Sequence, residues 1–289
     1  MIEFEPSDIV VDEQRGELLV ASNNEIVALP DGIPHNQEEN DVDVKLLYRF
    51  PDGGEDLEAL ELIGDKIFAV SERNKKSHLV ILQREPNDGT LDPAVRYSIP
   101  TPATEGIAHV SSPNWFSDKK PRLVTAGVTS SKGINSLHMD SFTVPSPPTE
   151  EGIWFGQQGV EVESSFEDPN NSPEVTPISL SPIKLNDKIF SGTLSDGKVS
   201  AMTYFDGLLY LLFDNAQVIR SFDSLGNLVQ ETKLPVAVEG YEKQWEGMNL
   251  QRKDGELILH LALDSPPQVW SIKLTEKAAG GWELPSCAS

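Results

Sequence analysis

The chain has one cysteine in 289 residues, Cys287, so it holds no internal disulfide and no zinc site built of thiolates. No apolar run approaches the ~20 residues that a membrane-spanning helix needs, which excludes such a span. Basic residues are scarce: 23 Lys and Arg stand against 46 Asp and Glu, giving a net charge of −23. A surface of that sign repels nucleic acid and anionic lipid, which both demand a basic footprint, and it attracts cations. The opening "MIEFEPSDIVV" has neither a basic start nor a small-residue cleavage site, so no signal peptide is expected in it and the compartment stays open. There is no G-x-S-x-G nucleophile elbow, no Walker A loop and no dinucleotide fingerprint. The five histidines, at 35, 78, 109, 138 and 260, have no H-x-x-x-H spacing.

Helix signals are also nearly absent. What fills the chain is short apolar runs punctuated by turns, with 21 Gly and 21 Pro, and with Asp-Gly pairs at 52, 88, 196, 206 and 254 among them. That is the pattern of an all-β protein. One motif recurs: an acid, a small residue, an apolar residue, a few strand positions, a tight turn and a more hydrophobic strand. It surrounds Asp8, Glu58, Glu105 and Glu246, and "GKVSAMTYFDGLLYLLFDN" keeps the frame with Ser200 in the acid's place. The steps are 50, 47, 95 and 46 residues. Placing "TEEGIW", with Glu151, inside the long step predicts six units of ~48 residues, and units of that size with four strands are β-propeller blades. We therefore expect one propeller domain over 1–289, six-bladed on the spacing, or five-bladed if 141–190 is an insertion. The last blade's outer strand is expected from "IEFE" or from "WEL" (282–284).

In such a blade the first strand lines the central channel, and its start shares a rim with the end of the antiparallel second strand. That brings Asp8, Glu58, Glu105, Glu151 and Glu246 to one mouth. The ends of the second strands add Asn23, Asn24, Glu72, Arg73, Asn74, Asp214, Asn215 and Asp264. Carboxylates crowded together must protonate, pair or bind a cation. An all-oxygen set with no convergent His or Cys suits Ca2+ better than zinc or copper. The alternative is structural: each acid accepts backbone N–H groups of the next blade and staples the ring. Trp245, beside Glu246, is chiefly a core or blade-interface candidate; the alternative is that it lines the mouth and stacks a sugar or lipid.

The segments "EDLEALELIGDKIFAVSERN", "TEGIAHV", "KVSAMTYFDGLLYLLFDNAQVIRSFDSLGNLVQETKLP" and "QWEGMNLQ" resemble the SdiA-regulated family and the related esterase-like phytase propellers. The resemblance implies a propeller, five-bladed in SdiA-regulated members, with a calcium site at the rim and a suspected hydrolase activity. It points to Glu58, Glu105 and Glu246, with Glu72 and Asn74 from "SERN". This chain departs from the pattern at Lys198, where the family's fourth motif has an acid. Two functions follow. The first is a calcium-binding propeller that binds a small molecule or protein at the channel mouth, or serves as a scaffold. The second is a metal-dependent hydrolase of phosphoesters or lactones, with Glu58, Glu72 or Glu246 as base.

Overall fold

The structure is a computed structural model. It describes residues 4–30, 44–50, 56–73, 76–85, 89–99, 103–112, 114–116, 119–131, 134–143, 198–214, 216–234, 245–264, 267–277 and 281–285. These residues form antiparallel sheets and no helix, so none of them supplies a helix long and apolar enough to cross a membrane.

The sheets follow the chain in order. The first contains β1 (Pro6–Asp12), β2 (Glu17–Ser22), β3 (Glu25–Pro30) and β4 (Lys45–Arg49); the second, β5 (Asp56–Ile63), β6 (Lys66–Arg73), β7 (Lys76–Arg84) and β8 (Leu91–Ser98). The third has three described strands, β9 (Thr104–Val110), β10 (Arg122–Ser131) and β11 (Ile134–Thr143). The fourth contains β12 (Val199–Phe205), β13 (Leu208–Phe213), β14 (Val218–Phe222) and β15 (Leu228–Lys233). The fifth contains β16 (Trp245–Lys253), β17 (Glu256–Leu263), β18 (Gln268–Glu276) and β19 (Trp282–Glu283). Each is a meander in which neighbours in sequence are neighbours in space. Asp206-Gly207 and Asp254-Gly255 close two of the hairpins with both central residues at positive φ, the geometry that a two-residue turn between right-twisted strands requires.

The second strands are apolar on both faces because each lies between two other sheets, and strict alternation assigns the faces. In β2, Leu19 and Ala21 pack toward the second sheet while Leu18 and Val20 pack toward the fifth. In β13, Leu209, Leu211 and Phe213 face the third sheet, and Tyr210 and Leu212 face the fifth. In β6, Ile67 and Ala69 meet the first sheet, and Phe68 and Val70 meet the third. Every core cluster thus straddles a pair of adjacent sheets, which is the architecture of a propeller. Arg84 of β7 adds a buried ion pair to Asp12 and Glu17, tying the second sheet to the first.

The inner strands β1, β5, β9, β12 and β16 neighbour one another in that cyclic order. Strand β9 lies directly against β12: a Cβ built on Gly106 would sit 3.0 Å from that of Met202. The described strands form a ring of five sheets, the number expected if 141–190 is an insertion. A 95-residue step measures two ordinary periods or one period plus an insertion, and spacing cannot tell them apart. The unit placed on Glu151 lies outside the described residues. The fifth sheet's outer strand comes from Trp282–Glu283, so "WEL" supplies it. The ring shuts where β1 packs beside β16.

Candidate functional site: an acidic channel mouth

All five inner strands carry a β-bulge near their start. The register slips between Pro6 and Asp8, between Leu57 and Ala59, between Thr104 and Gly106, between Val199 and Ala201, and between Trp245 and Gly247. The extra residues are Ser7, Glu58, Glu105, Ser200 and Glu246. A bulge frees one residue from the ladder and re-aims its side chain, and here it does so at one level around the channel. The residue after each bulge turns toward the neighbouring inner strand. Gly106 approaches Met202, and a Cβ on Gly247 would lie 2.6 Å from the Cα of Asp8, so small residues are required there.

This geometry corrects the place of Asp8. Its equivalents are Ala59, Gly106, Ala201 and Gly247, not the glutamates, whose counterpart in the first sheet is Ser7. Asp8 is 1% exposed and accepts the N–H of Leu60 at 2.7 Å and of Met248 at 3.3 Å. It therefore staples β1 to both flanking inner strands, and burial pushes its carboxyl well above the usual range. Both bulge serines donate to the next inner strand, Ser7 to the carbonyl of Leu57 and Ser200 to that of Trp245 at 2.7 Å. The mouth alternative for Trp245 is likewise corrected. It is fully buried, packed edge-on against Trp270 at 5.6 Å within the core between the fourth and fifth sheets, and does not line the mouth. Asn23 and Asn24 have turn roles, their carbonyls accepting the N–H groups of Leu57 and Phe50.

The remaining acids form one electrostatic neighbourhood. Burial first, then the fields of Asp56, Glu105 and Glu72, push Glu58 up to about 8. Burial, Glu105, Asp214 and Asp264 push Glu246 up to about 7 against the opposing field of Lys198. Burial also raises Glu105, although Lys198 Nζ lies 3.1 Å from its Oε1. Asp56 is raised by burial and then by Glu72, Glu5 and Asp264; Asp264 is raised by burial and then by Glu5. Burial alone would depress Lys198, but Glu105, Glu246 and Asp214 outweigh it and raise the ammonium. The backbone of Lys198 is tied to the end of β13, its N–H donating to Asp214 Oδ1 at 3.0 Å.

Of the residues expected at this mouth, Glu58, Glu72, Glu105, Asp214, Glu246 and Asp264 are brought together. Arg73 ends β6, and its side chain lies outside what is described; Asn74, Glu151 and Asn215 lie outside the described residues. Glu5 and Asp56 join the cluster without having been expected, and Lys198, noted in the sequence as standing in place of an acid, joins them as an ammonium. A signal for them exists: each stands two residues before a bulge residue, Ser7, Glu58 or Ser200, and alternate strand residues share a face. Among the described residues no three His, Cys, Asp or Glu side chains are gathered as a ready-made metal cage. The donors are all oxygen, the chemistry that a hard cation takes, but they stand apart around an ammonium.

No protein-family model and no curated protein matches the chain. Among solved structures it is similar to the RS223 β-xylosidase, at 9% identity over 98% of this chain and 96% of that one, with a TM-score of 0.51. It is similar also to a GH43_1 enzyme from Xanthomonas citri, at 10% identity over 100% and 94% of the two chains, TM-score 0.50. A third is a PQQ-bound aldose sugar dehydrogenase from Streptomyces coelicolor, at 10% identity over 89% and 88%, TM-score 0.43. The likeness is one of fold.

Proposed function

We propose that the acidic mouth is the ligand site of a binding propeller and that its ligand is a cation, Ca2+ first among them. The observation that carries this reading is a group of half-buried carboxyls whose charges are costly, first through burial and then through one another, with Glu58 pushed up to about 8 and Glu246 to about 7 around Lys198. A divalent cation would relieve that repulsion. Glu58, Glu105 and Glu246, with Glu72, Asp214 and Asp264, are the residues that would hold it. The motif resemblance to the SdiA-regulated and phytase-like propellers supports the same choice of ion.

Two measurements test it. Saturating Ca2+ against EDTA should raise the melting temperature by roughly 5 °C at ~100-fold excess over Kd, because a ligand of the native state alone stabilises that state. Calorimetry at pH 7 in buffers of different ionisation enthalpy should show proton release on binding, since protonated carboxyls must ionise to take the ion. Lys198→Met should tighten binding by removing the competing ammonium. No response to Ca2+ in either form rejects the cation.

A second reading is hydrolysis, favoured by one arrangement. Glu58 is a protonated acid at neutral pH, whereas Glu105 is paired with Lys198, which opposes its protonation. One mouth then holds two carboxyls in unlike settings, Glu58 raised by burial and neighbouring acids and Glu105 beside an ammonium, and unlike carboxyls are what general acid–base chemistry uses. Nitrophenyl phosphate, acetate and lactone substrates form the panel, joined by aryl xylosides because two structures of the same fold are a GH43_1 enzyme and a β-xylosidase. If this reading holds, Glu58→Gln should cost ~100-fold or more in kcat. Absence of turnover across the panel leaves binding as the function.

A further inference from the structure

The channel has a second mouth, about 10 Å beyond the bulges at ~3.3 Å per strand residue. There the residues three and four places past the bulge residues of β1, β5, β12 and β16, together with His109 and Ser111 after the bulge of β9 and Glu13 after β1, line a cavity of about 260 Å3. It is chemically unlike the first mouth. Glu61 reaches it, but its Oε1 accepts the N–H of Leu62 at 2.9 Å and its Oε2 that of His109 at 2.6 Å, so the carboxyl braces β5 on β9. Burial lowers the His109 imidazole, which keeps the ring neutral. Thr203 and Asn249 face each other across β12 and β16, with Asn249 Nδ2 donating to Thr203 Oγ1 at 3.5 Å. Ser111 adds a hydroxyl at the edge. Tyr204 is also in the lining, but its ring packs edge-on against Trp115 at 5.9 Å on the core between the third and fourth sheets, and the indole N–H of Trp115 is fixed on the carbonyl of Gly207 at 3.2 Å.

Hydroxyl, amide and imidazole groups, with the Glu13 carboxyl among them and aliphatic side chains of β1, β5 and β16 beside them, recognise a small molecule that carries many hydroxyls and an apolar face. The volume lies just under the ~300–1,000 Å3 usual for drug-sized ligands, which limits the occupant to one small ring. We propose that this second mouth binds a neutral sugar unit, free or at the end of a glycan. Its chemistry does not depend on the cation reading, and neither does its test.

The test is titration calorimetry at pH 7 with neutral pentoses, hexoses and N-acetylhexosamines, their oligosaccharides, and spermidine as a cationic probe. A neutral sugar should bind at millimolar Kd or tighter. Asn249→Ala and Thr203→Val should each weaken it by about 5- to 10-fold, the effect of losing one polar partner. If Asn249→Ala does not fold, Asn249→Asp carries the same expectation. A longer sugar that binds more tightly than its end unit assigns a glycan terminus; equal affinity assigns the free sugar. Failure of every neutral sugar at about 20 mM, well past the ~4 kcal/mol of a millimolar Kd, overturns the proposal. So does binding indifferent to the Asn249 variants, or a cavity that takes spermidine alone.

Discussion

Gly247→Ala should lower the melting temperature by roughly 10 °C, the largest effect we expect from a single methyl group in this chain. The added Cβ would lie 2.6 Å from Asp8 Cα, 2.9 Å from Asp8 C and 2.9 Å from Ala262 Cβ. Two of those atoms are backbone, so no rotamer change relieves the contact and β16 must move off β1. The movement also pulls Met248 N–H from the Asp8 carboxyl, which sits 3.3 Å away. This junction has little else to hold it. Its core sets Ile9, Leu18, Val20, Val27 and Leu29 against Ala262, with Val269 beside them. Overpacking in a core costs ~1–3 kcal/mol, and a rigid backbone neighbour puts this case at or above the upper end. At ~2–4 °C per kcal/mol for a chain of this class, about 10 °C follows. Gly106→Ala is the control. Its nearest contact is a side-chain atom, Met202 Cβ, at 3.0 Å, and the loss should be a third as large or less. Equal losses in thermal unfolding would refute the close-approach account.

Glu58→Gln should raise the melting temperature at pH 8 and leave it nearly unchanged at pH 4. The folded protein holds a proton on Glu58 up to about pH 8, whereas the unfolded chain releases it near the ordinary 4.5. Between those values the native state binds more protons than the unfolded state, so stability falls as pH rises. The stabilising state is intact below about 4.5 and lost through about 8. One pKa unit corresponds to about 1.4 kcal/mol, which sets a ceiling of about 5 kcal/mol; sharing among coupled neighbours brings the expected gain nearer to ~2 kcal/mol, or ~4–8 °C at pH 8. Glutamine keeps the shape and cannot ionise. Parallel stability curves for the two proteins from pH 4 to 8 would show that the repulsion at the mouth is too weak to matter.

Most of the fold was legible because its local signals agree with one another. "LLYLLF" is apolar at every position, and the structure uses both of its faces. The Asp-Gly pairs at 206 and 254 are two-residue turns. The number of sheets was not legible, since a 95-residue step fits one more unit or an insertion. Glu58, Glu105 and Glu246 share one level of the channel because those glutamates are the bulge residues themselves. Asp8 was misplaced by one position: aligning the units on an acid selects it, whereas aligning them on the bulge selects Ser7. That slip moves a side chain from the channel to the gap between sheets. The mouth alternative for Trp245 fails for the same reason of alternation, for a residue adjacent to one aimed at the channel points elsewhere. Asp56 and Glu5 were hidden because the motif began at the bulge and ignored the strand position two residues earlier.

Each sheet is a single uninterrupted stretch of the polypeptide, and no strand crosses from the fifth sheet to the first. A rearranged gene that starts at β12, ends at β11 and joins the old termini by a linker would therefore break no hydrogen-bonded pairing among the described strands. It would move the opening of the ring from β1–β16, where Gly247 lies against Asp8, to the β9–β12 junction, where Gly106 lies against Met202.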